Sequence, residues 1–397
     1  MIAKPTIVPL SQPRRISIVP LCLTLCWLTL IPIRASSGAQ SVPADASTTE
    51  VRIGVLGLFH PSELRVGVRP GTGMVVHAGE ERIVLEKSSG LDTASVRLSD
   101  DGIVLTAGTR IVRADSVAIS GRSGEPVDFL LAVPDRITRR YHGTLEIKPS
   151  NGSLLAIVSM ALESAVASIV AAESTSDTPL EAAKAQAVAA RSYLVAGRGR
   201  HQQFDFCDTT HCQFLREPPE PGSVAGDAVT ATRGLVLAYD SKPFAAMYTR
   251  SCSGRTHTPA DLGLPSSGYP YYPAECAYCR AHPASWSSKI SARDAATLRS
   301  SDESSRLNVV RRLGWSAVPS NTFTTTKDGD QLVIRGTGQG HGIGLCQAGA
   351  RALAEQGETF QQILSHYFPN TTITTMPSQS SSAARVPRHT DRDPVVK

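Results

Sequence analysis

The sequence predicts an α+β protein: a small β-rich N-terminal region, then a mixed α/β domain with long irregular loops rich in cysteine and histidine. Three observations predict it. Between Val51 and Lys148, short β-branched runs alternate with clusters of Gly, Pro, Asp and Ser, the pattern of short strands and turns. From Leu154 to Leu194 the apolar period becomes helical. Beyond Ala196, excursions dense in Cys, His, Gly and Pro separate short regular pieces, and loops of that length need something to hold them.

Composition narrows the class. The chain has 397 residues, 41% hydrophobic and 19% charged, an ordinary globular balance. Its net charge of +5 comes mostly from residues 1–39, where Lys4, Arg14, Arg15 and Arg34 meet no acid, and without them the net is +1. A near-neutral chain lacks the basic field that binds nucleic acid. Arg14 and Arg15 precede an apolar run from Ile16 to Ile33, and Ser37-Gly38-Ala39 offers a small-residue cleavage site before Gln40, so residues 1–39 read as a secretory signal. Left uncleaved, the same run would be a membrane anchor, a reading that Pro20 and Pro32 weaken. An exported product is expected, with any membrane attachment only through that signal.

The elements follow in order. Residues 40–50 read as a linker. Strands are expected at Val51 to Leu58, Leu64 to Val68, Arg82 to Leu85, Ile103 to Ala107, Val117 to Ser120 and Thr144 to Ile147 within a β-rich region over 51–148. The second domain, 149–375, opens with a helical stripe of Leu162, Val166 and Ile169 that extends one turn to Glu173. A second helix starts at Thr178-Pro179-Leu180-Glu181, with Thr178 as cap, Pro179 in the first turn and Glu181 closing a capping box. Its alanine-rich body lets neighbouring backbone approach, while Lys184 and Arg191 project from one side and could line a groove. Strands at Leu235 to Tyr239 and Ala245 to Thr249 lie between two Cys-rich excursions. A strand at Gln331 to Ile334, helices ending at Glu355 and Tyr367, and a Ser-rich tail over 376–397 complete the chain; the tail's composition suits disorder.

Several groups could carry chemistry. Glu173 ends an apolar stripe, where desolvation raises a carboxyl's pKa and suits it to act as a general acid; the alternative is a helix-end glutamate bonding nearby backbone. Glycines alternate from Gly336 to Gly344 around His341, yet their spacing fits neither a dinucleotide fingerprint nor a phosphate loop. Both a site histidine and a tight structural crossover fit that run. Cys346, five residues after His341, could be imagined as a nucleophile, although small buried cysteines are common. His201, Cys207, His211 and Cys212 supply two imidazoles and two thiols within one loop, which suits tetrahedral zinc or, in an exported protein, a Cys207–Cys212 disulfide. Cys252, Cys276 and Cys279, with His282 or His257, pose the same question.

Two ordered blocks resemble the stage II sporulation protein D family. The first runs through Leu162-Glu163 and Ile169 to Glu173 and then Pro179 to Tyr193; the second is Gly338 to Ala350, with Ile363 to Pro369 after it and Cys252-Ser253-Gly254-Arg255-Thr256 between them. The resemblance covers about residues 141–375. It implies a peptidoglycan lytic transglycosylase, periplasmic or cell-wall associated, with Glu173 as the catalytic acid. Lys184, Gln186, Arg191, Tyr193, His341 and Gln347 match motif positions and are expected to bind or position the glycan. The set His201, Cys207, His211 and Cys212 resembles a zinc site in one branch of the family, which implies a structural zinc, with no cofactor needed for catalysis. The chain departs from the family pattern at Ala165, Ser168 and Ser174-Thr175, which puts substrate preference in question. Two rival readings remain: a wall-binding enhancer of a cell-wall amidase, like other relatives in the superfamily, and a redox or metal-binding exported protein built on its cysteines.

Overall fold

The computed structural model describes residues 49–209, 211–266 and 268–376. The expected signal, nearly all of the linker and all but the first residue of the expected tail lie outside those residues. Mixed α/β architecture is what the chain adopts, with a β-rich, nearly barrel-shaped sheet and seven helices among the described residues.

The large sheet has twelve strands. Its organiser is the 14-residue strand Ile137–Ser150, which pairs antiparallel with Val127–Val133 through its first half and with Ser153–Ala161 through its second. Ser153–Ala161 then pairs with Glu50–Val55, so the first and last strands of the region lie side by side. The helical period expected from Leu154 therefore begins only at Leu162. The segment SLLAIVSMA is apolar nearly throughout, because it is buried deeply in a sheet, and such a run has no period to separate strand from helix. The division at residue 148 falls inside the Ile137–Ser150 strand, and a shared hydrophobic core joins Val51, Leu105 and Val158 to Val166, Ala187 and Val229.

Seven helices follow: α1 (Leu162–Glu173), α2 (Leu180–Ala196), α3 (Val224–Ala231), α4 (Ala277–Ala281), α5 (Glu303–Leu313), α6 (Gln347–Glu355) and α7 (Phe360–Tyr367). Helix α2 is the central pillar. Alanines 182, 183, 185, 187, 189 and 190 are all buried, and their short side chains let α1, α3, α6, α7 and the strand Leu235–Tyr239 pack on every side. The expected capping box does not form. Pro179 is the cap residue, Thr178 Oγ1 accepts from Thr175 N–H in the turn before it, and Glu181 reaches across to accept from Phe360 N–H at the start of α7 at 2.8 Å.

A second core, of Phe244, Tyr269, Tyr271, Leu345, Ile363, Leu364 and Phe368, packs on the far side of α2. A third, smaller core joins α5 to the sheet of Ser285–Ser291, Gln331–Thr337 and Thr322–Asp328. The glycine run links the two. Gly338, Gly340, Gly342 and Gly344 all have positive φ, and the strand they lead into, Leu345–Cys346, pairs parallel with Tyr248–Thr249. At Gly344 an added Cβ would lie 2.1 Å from the Met247 carbonyl oxygen, so only glycine fits that crossover.

Candidate functional site

Glu173 stands at the C-terminal end of α1. Leu162, Val166 and Ile169 bury the stripe below it, and the helix period carries its carboxylate to the half-buried end of that stripe. From α6, Gln347 Nε2 donates to Glu173 Oε2 at 3.0 Å and, at 3.4 Å, to Gln186 Oε1 of α2. The three side chains thus converge from three helices. Gln186 is 4% exposed, and its Nε2 is buried with no hydrogen-bond partner among the described residues. Desolvation by burial raises the Glu173 carboxyl above its usual range, partly offset by the Gln347 hydrogen bond and by the positive fields of Arg250 and Arg216. Such a carboxyl holds its proton at higher pH than an exposed glutamate.

Tyr248, Arg250 and Arg216 are parts of this surroundings that sequence reasoning missed. Tyr248 is pushed well above a normal phenol by burial first and by the Glu173 charge second. Its only sequence signal is a place in an expected strand, since the register that brings that strand beside α6 depends on the distant glycine crossover.

The other expected site residues divide between the site and the scaffold. Lys184 lies near the start of α7, with Nζ bonded to Glu181 Oε1 at 2.6 Å and 6.0 Å from the Phe360 ring centroid. Arg191 is a correction: its side chain has no exposure, and its guanidinium holds Glu163 bidentately at 2.7 and 2.9 Å while also donating to the Leu235 carbonyl at 3.0 Å. A fully enclosed guanidinium cannot line a groove; it bolts α2 to α1. Tyr193 is likewise buried, and its hydroxyl accepts from Arg200 beside the Cys/His loop.

His341 has its own neighbourhood. Its Nδ1 accepts from Ile343 N–H at 3.0 Å, and the ring lies with His257, Ser251, Ser320 and Thr322 around a crevice too tight to admit a water molecule. Burial pulls it down to about 4, with the Glu303 charge opposing and Arg306 and His257 adding to the fall. Glu303 is itself held by Arg306 at 2.7 and 2.8 Å and by Asn321 at 2.6 Å. The imidazole is therefore neutral at pH 7, wedged into the glycine crossover. The imagined pairing of His341 with Cys346 does not occur, because Cys346 Sγ lies 3.5 Å from Cys279 Sγ instead.

In the loop after α2, His201, Cys207, His211 and Cys212 bring one donor atom each to within 4.8 Å of one another. His201 Nε2 is 3.3 Å from Cys212 Sγ, and His211 Nδ1 is 3.5 Å from Cys212 Sγ and 3.7 Å from Cys207 Sγ. Mixed N–S edges of a zinc tetrahedron are about 3.5 Å, given bond lengths of about 2.05 and 2.3 Å. The donor set fits zinc. The loop is tied to the sheet through Phe206–Cys207, which pairs with Ile53 and Gly54, and through Asp208, which accepts from Leu56 N–H at 3.1 Å and Arg139 at 3.0 Å.

Residues 150–239, which contain α1, α2 and the Cys/His loop, match the family model "Stage II sporulation protein". Over these residues the chain carries a domain similar to that of the stage II sporulation protein D family. It is 24% identical over 262 residues to stage II sporulation protein D of Bacillus subtilis, covering 53% of this chain and 74% of that protein. It is 27% identical over 261 residues to an uncharacterized protein of Brachyspira hyodysenteriae, covering 57% of this chain and 70% of that protein. A stretch of 62 residues is 44% identical to the amidase enhancer of Bacillus subtilis, 16% of this chain and 9% of that one.

Proposed function

We propose that the protein is an exported peptidoglycan lytic transglycosylase that cuts the bond between N-acetylmuramic acid and N-acetylglucosamine in glycan strands, those stripped of stem peptides above all. The observation that carries this reading is Glu173: a carboxyl raised by burial and oriented by Gln347 through Oε2, with no hydrogen bond to Oε1 among the described residues. Protonated Glu173 gives its proton to the glycosidic oxygen as the C1–O bond breaks. The resulting carboxylate takes the proton of the muramic C6 hydroxyl as that oxygen attacks C1, which closes a 1,6-anhydro ring. Because the sugar supplies its own nucleophile, the second carboxylate of an ordinary glycosidase is not required. Gln186 and Gln347 are positioning groups, and Lys184 offers a cation at the edge of the same helix cluster.

His201, Cys207, His211 and Cys212 would hold a structural zinc, whose chemistry there is to cross-link the loop and dock it on the sheet; none of the proton transfers uses it. A second reading, in which the protein binds the wall and stimulates an amidase, is favoured by the 62-residue stretch shared with the amidase enhancer. Borohydride treatment of digested, amidase-treated peptidoglycan separates the readings. Transglycosylase products carry anhydro ends that resist reduction, a hydrolase leaves reducible ends, and an enhancer leaves glycan lengths unchanged while accelerating an added amidase.

A further inference from the structure

We propose a second metal centre, a mononuclear tetrahedral zinc site formed by the thiolates of Cys252, Cys276, Cys279 and Cys346. It lies in the second core, apart from the Cys/His loop, and stands independently of the catalytic reading. The expectation that His282 or His257 completes this group is corrected by the structure: His282 Nδ1 faces the Tyr278 carbonyl at 3.2 Å and His257 Nε2 faces Thr322 at 3.4 Å.

Geometry is the first support. All four Sγ atoms lie within 4.8 Å of one another, and Cys279 and Cys346 are 3.5 Å apart. Four sulfurs at about 2.3 Å from one zinc have S–S edges of about 3.8 Å. Disulfides would instead draw the sulfurs together in pairs at about 2.05 Å, and a polynuclear cluster would spread them around several metals. Burial is the second. The four residues are 1, 3, 1 and 0% exposed, among Tyr269, Leu345 and Ile363, where thiols gain little from each other and thiolates need a cation.

The backbone around the sulfurs provides the third. Cys276-Ala277-Tyr278-Cys279 opens α4 with Cys276 as its cap residue. Opposite, Cys252-Ser253-Gly254 turns sharply, with φ of 63° at Ser253 and 105° at Gly254, and Gly254 accepts from Cys276 N–H at 2.9 Å. Outer partners also reach the sulfurs, Tyr367 Oη donating to Cys276 at 3.6 Å and Ser251 Oγ lying 3.5 Å from Cys279, the support that metal thiolates usually receive. Gly349 of α6 is in place because a Cβ there would sit 2.5 Å from the Cys276 sulfur.

The site closes three segments distant in sequence. Cys346 is the cap residue of α6, and the next residue, Gln347, holds Glu173. A zinc clip at Cys346 therefore fixes the register of the amide that orients the carboxylate.

Metal analysis and zinc-edge X-ray absorption on the full chain, in a His201→Ala/Cys207→Ser background that removes the other donor set, test the proposal. One zinc per chain with four sulfur neighbours at about 2.3 Å is the expected result. Cys346→Ser in that background loses the zinc, and Cys346→His, which keeps a ligand, retains it with three sulfurs and one nitrogen. Should the background variant fail to fold, unmodified protein decides: a four-sulfur shell, alone or averaged with a two-sulfur, two-nitrogen shell in a two-zinc protein, supports the site. A metal-free chain whose four cysteines alkylate freely, one that resists alkylation until reduced, iron in place of zinc, or a single zinc with two sulfurs and two nitrogens would each overturn it.

Discussion

Glu173 owes its proton affinity to position. Three turns of apolar side chains bury the helix below it, and the chain then leaves into Ser174-Thr175 without supplying a countercharge. Replacing Glu173 with Gln keeps the shape and the Gln347 contact region but removes the transferable proton, so glycan cleavage should fall by about 10²–10⁴-fold with an unchanged melting curve. The pH dependence has a definite sign. The acid form is the one that starts the reaction, so the alkaline limb of activity lies above the ordinary glutamate value of 4.5 and activity declines as pH rises through the raised value. Gln347 stabilises the carboxylate, so Gln347→Ala should move that limb to higher pH while lowering kcat; a limb that stays in place would separate Gln347 from the proton. His341 makes an opposite prediction about stability. Its folded value of about 4 lies below the free value of 6.5, so the unfolded chain binds more protons between those pH values and stability present above pH 6.5 is lost as pH falls toward 4. His341→Asn, whose side-chain oxygen can take over the Ile343 N–H, should show a flatter loss of melting temperature across that window.

At the scale of elements, α1 and α2 show what sequence reasoning reaches and where it stops. The stripe Leu162, Val166, Ile169, Glu173 is legible because all four residues belong to one helix, and period alone places them on one face. The role of Arg191 is not legible, because its partner Glu163 lies on another helix and only packing reveals that the guanidinium is enclosed. Breaking this pair with Arg191→Leu should cost about 3–5 kcal/mol, toward the lower figure because Glu163 keeps some water contact, measurable by urea unfolding. The capping box failed for a related reason: Glu181 finds a better donor at Phe360 N–H, 179 residues away. The glycine crossover was open to two readings, and positive φ at Gly338, Gly340, Gly342 and Gly344 shows the backbone passage, with His341 seated inside it. The fourth cysteine of the buried cluster was equally hidden, since Cys346 meets Cys279 across 67 residues.

Across the whole molecule, the strands and the helices that bear Glu173 are built on common interior residues rather than stacked as independent pieces. The strand Ser153–Ala161 leads directly into α1, so the sheet sets the position of the helix that ends at Glu173. The Cys/His loop closes the other end by pairing Phe206–Cys207 with Glu50–Val55. Removing that loop's own donors with His201→Ala/Cys207→Ser should therefore lower the melting temperature and loosen the loop to proteolysis between Arg198 and Glu217, with the activity of surviving folded protein unchanged per molecule. The central claim is that Glu173 performs proton transfer in a cut that leaves a cyclised sugar. Mass spectrometry of glycan fragments from amidase-treated peptidoglycan, incubated in parallel with wild-type protein and folded Glu173→Gln, tests it most directly. Fragments ending in 1,6-anhydro-N-acetylmuramic acid should accumulate with wild type and be absent with the variant; equal yields from both proteins, or hydrated reducing ends from wild type, would contradict it.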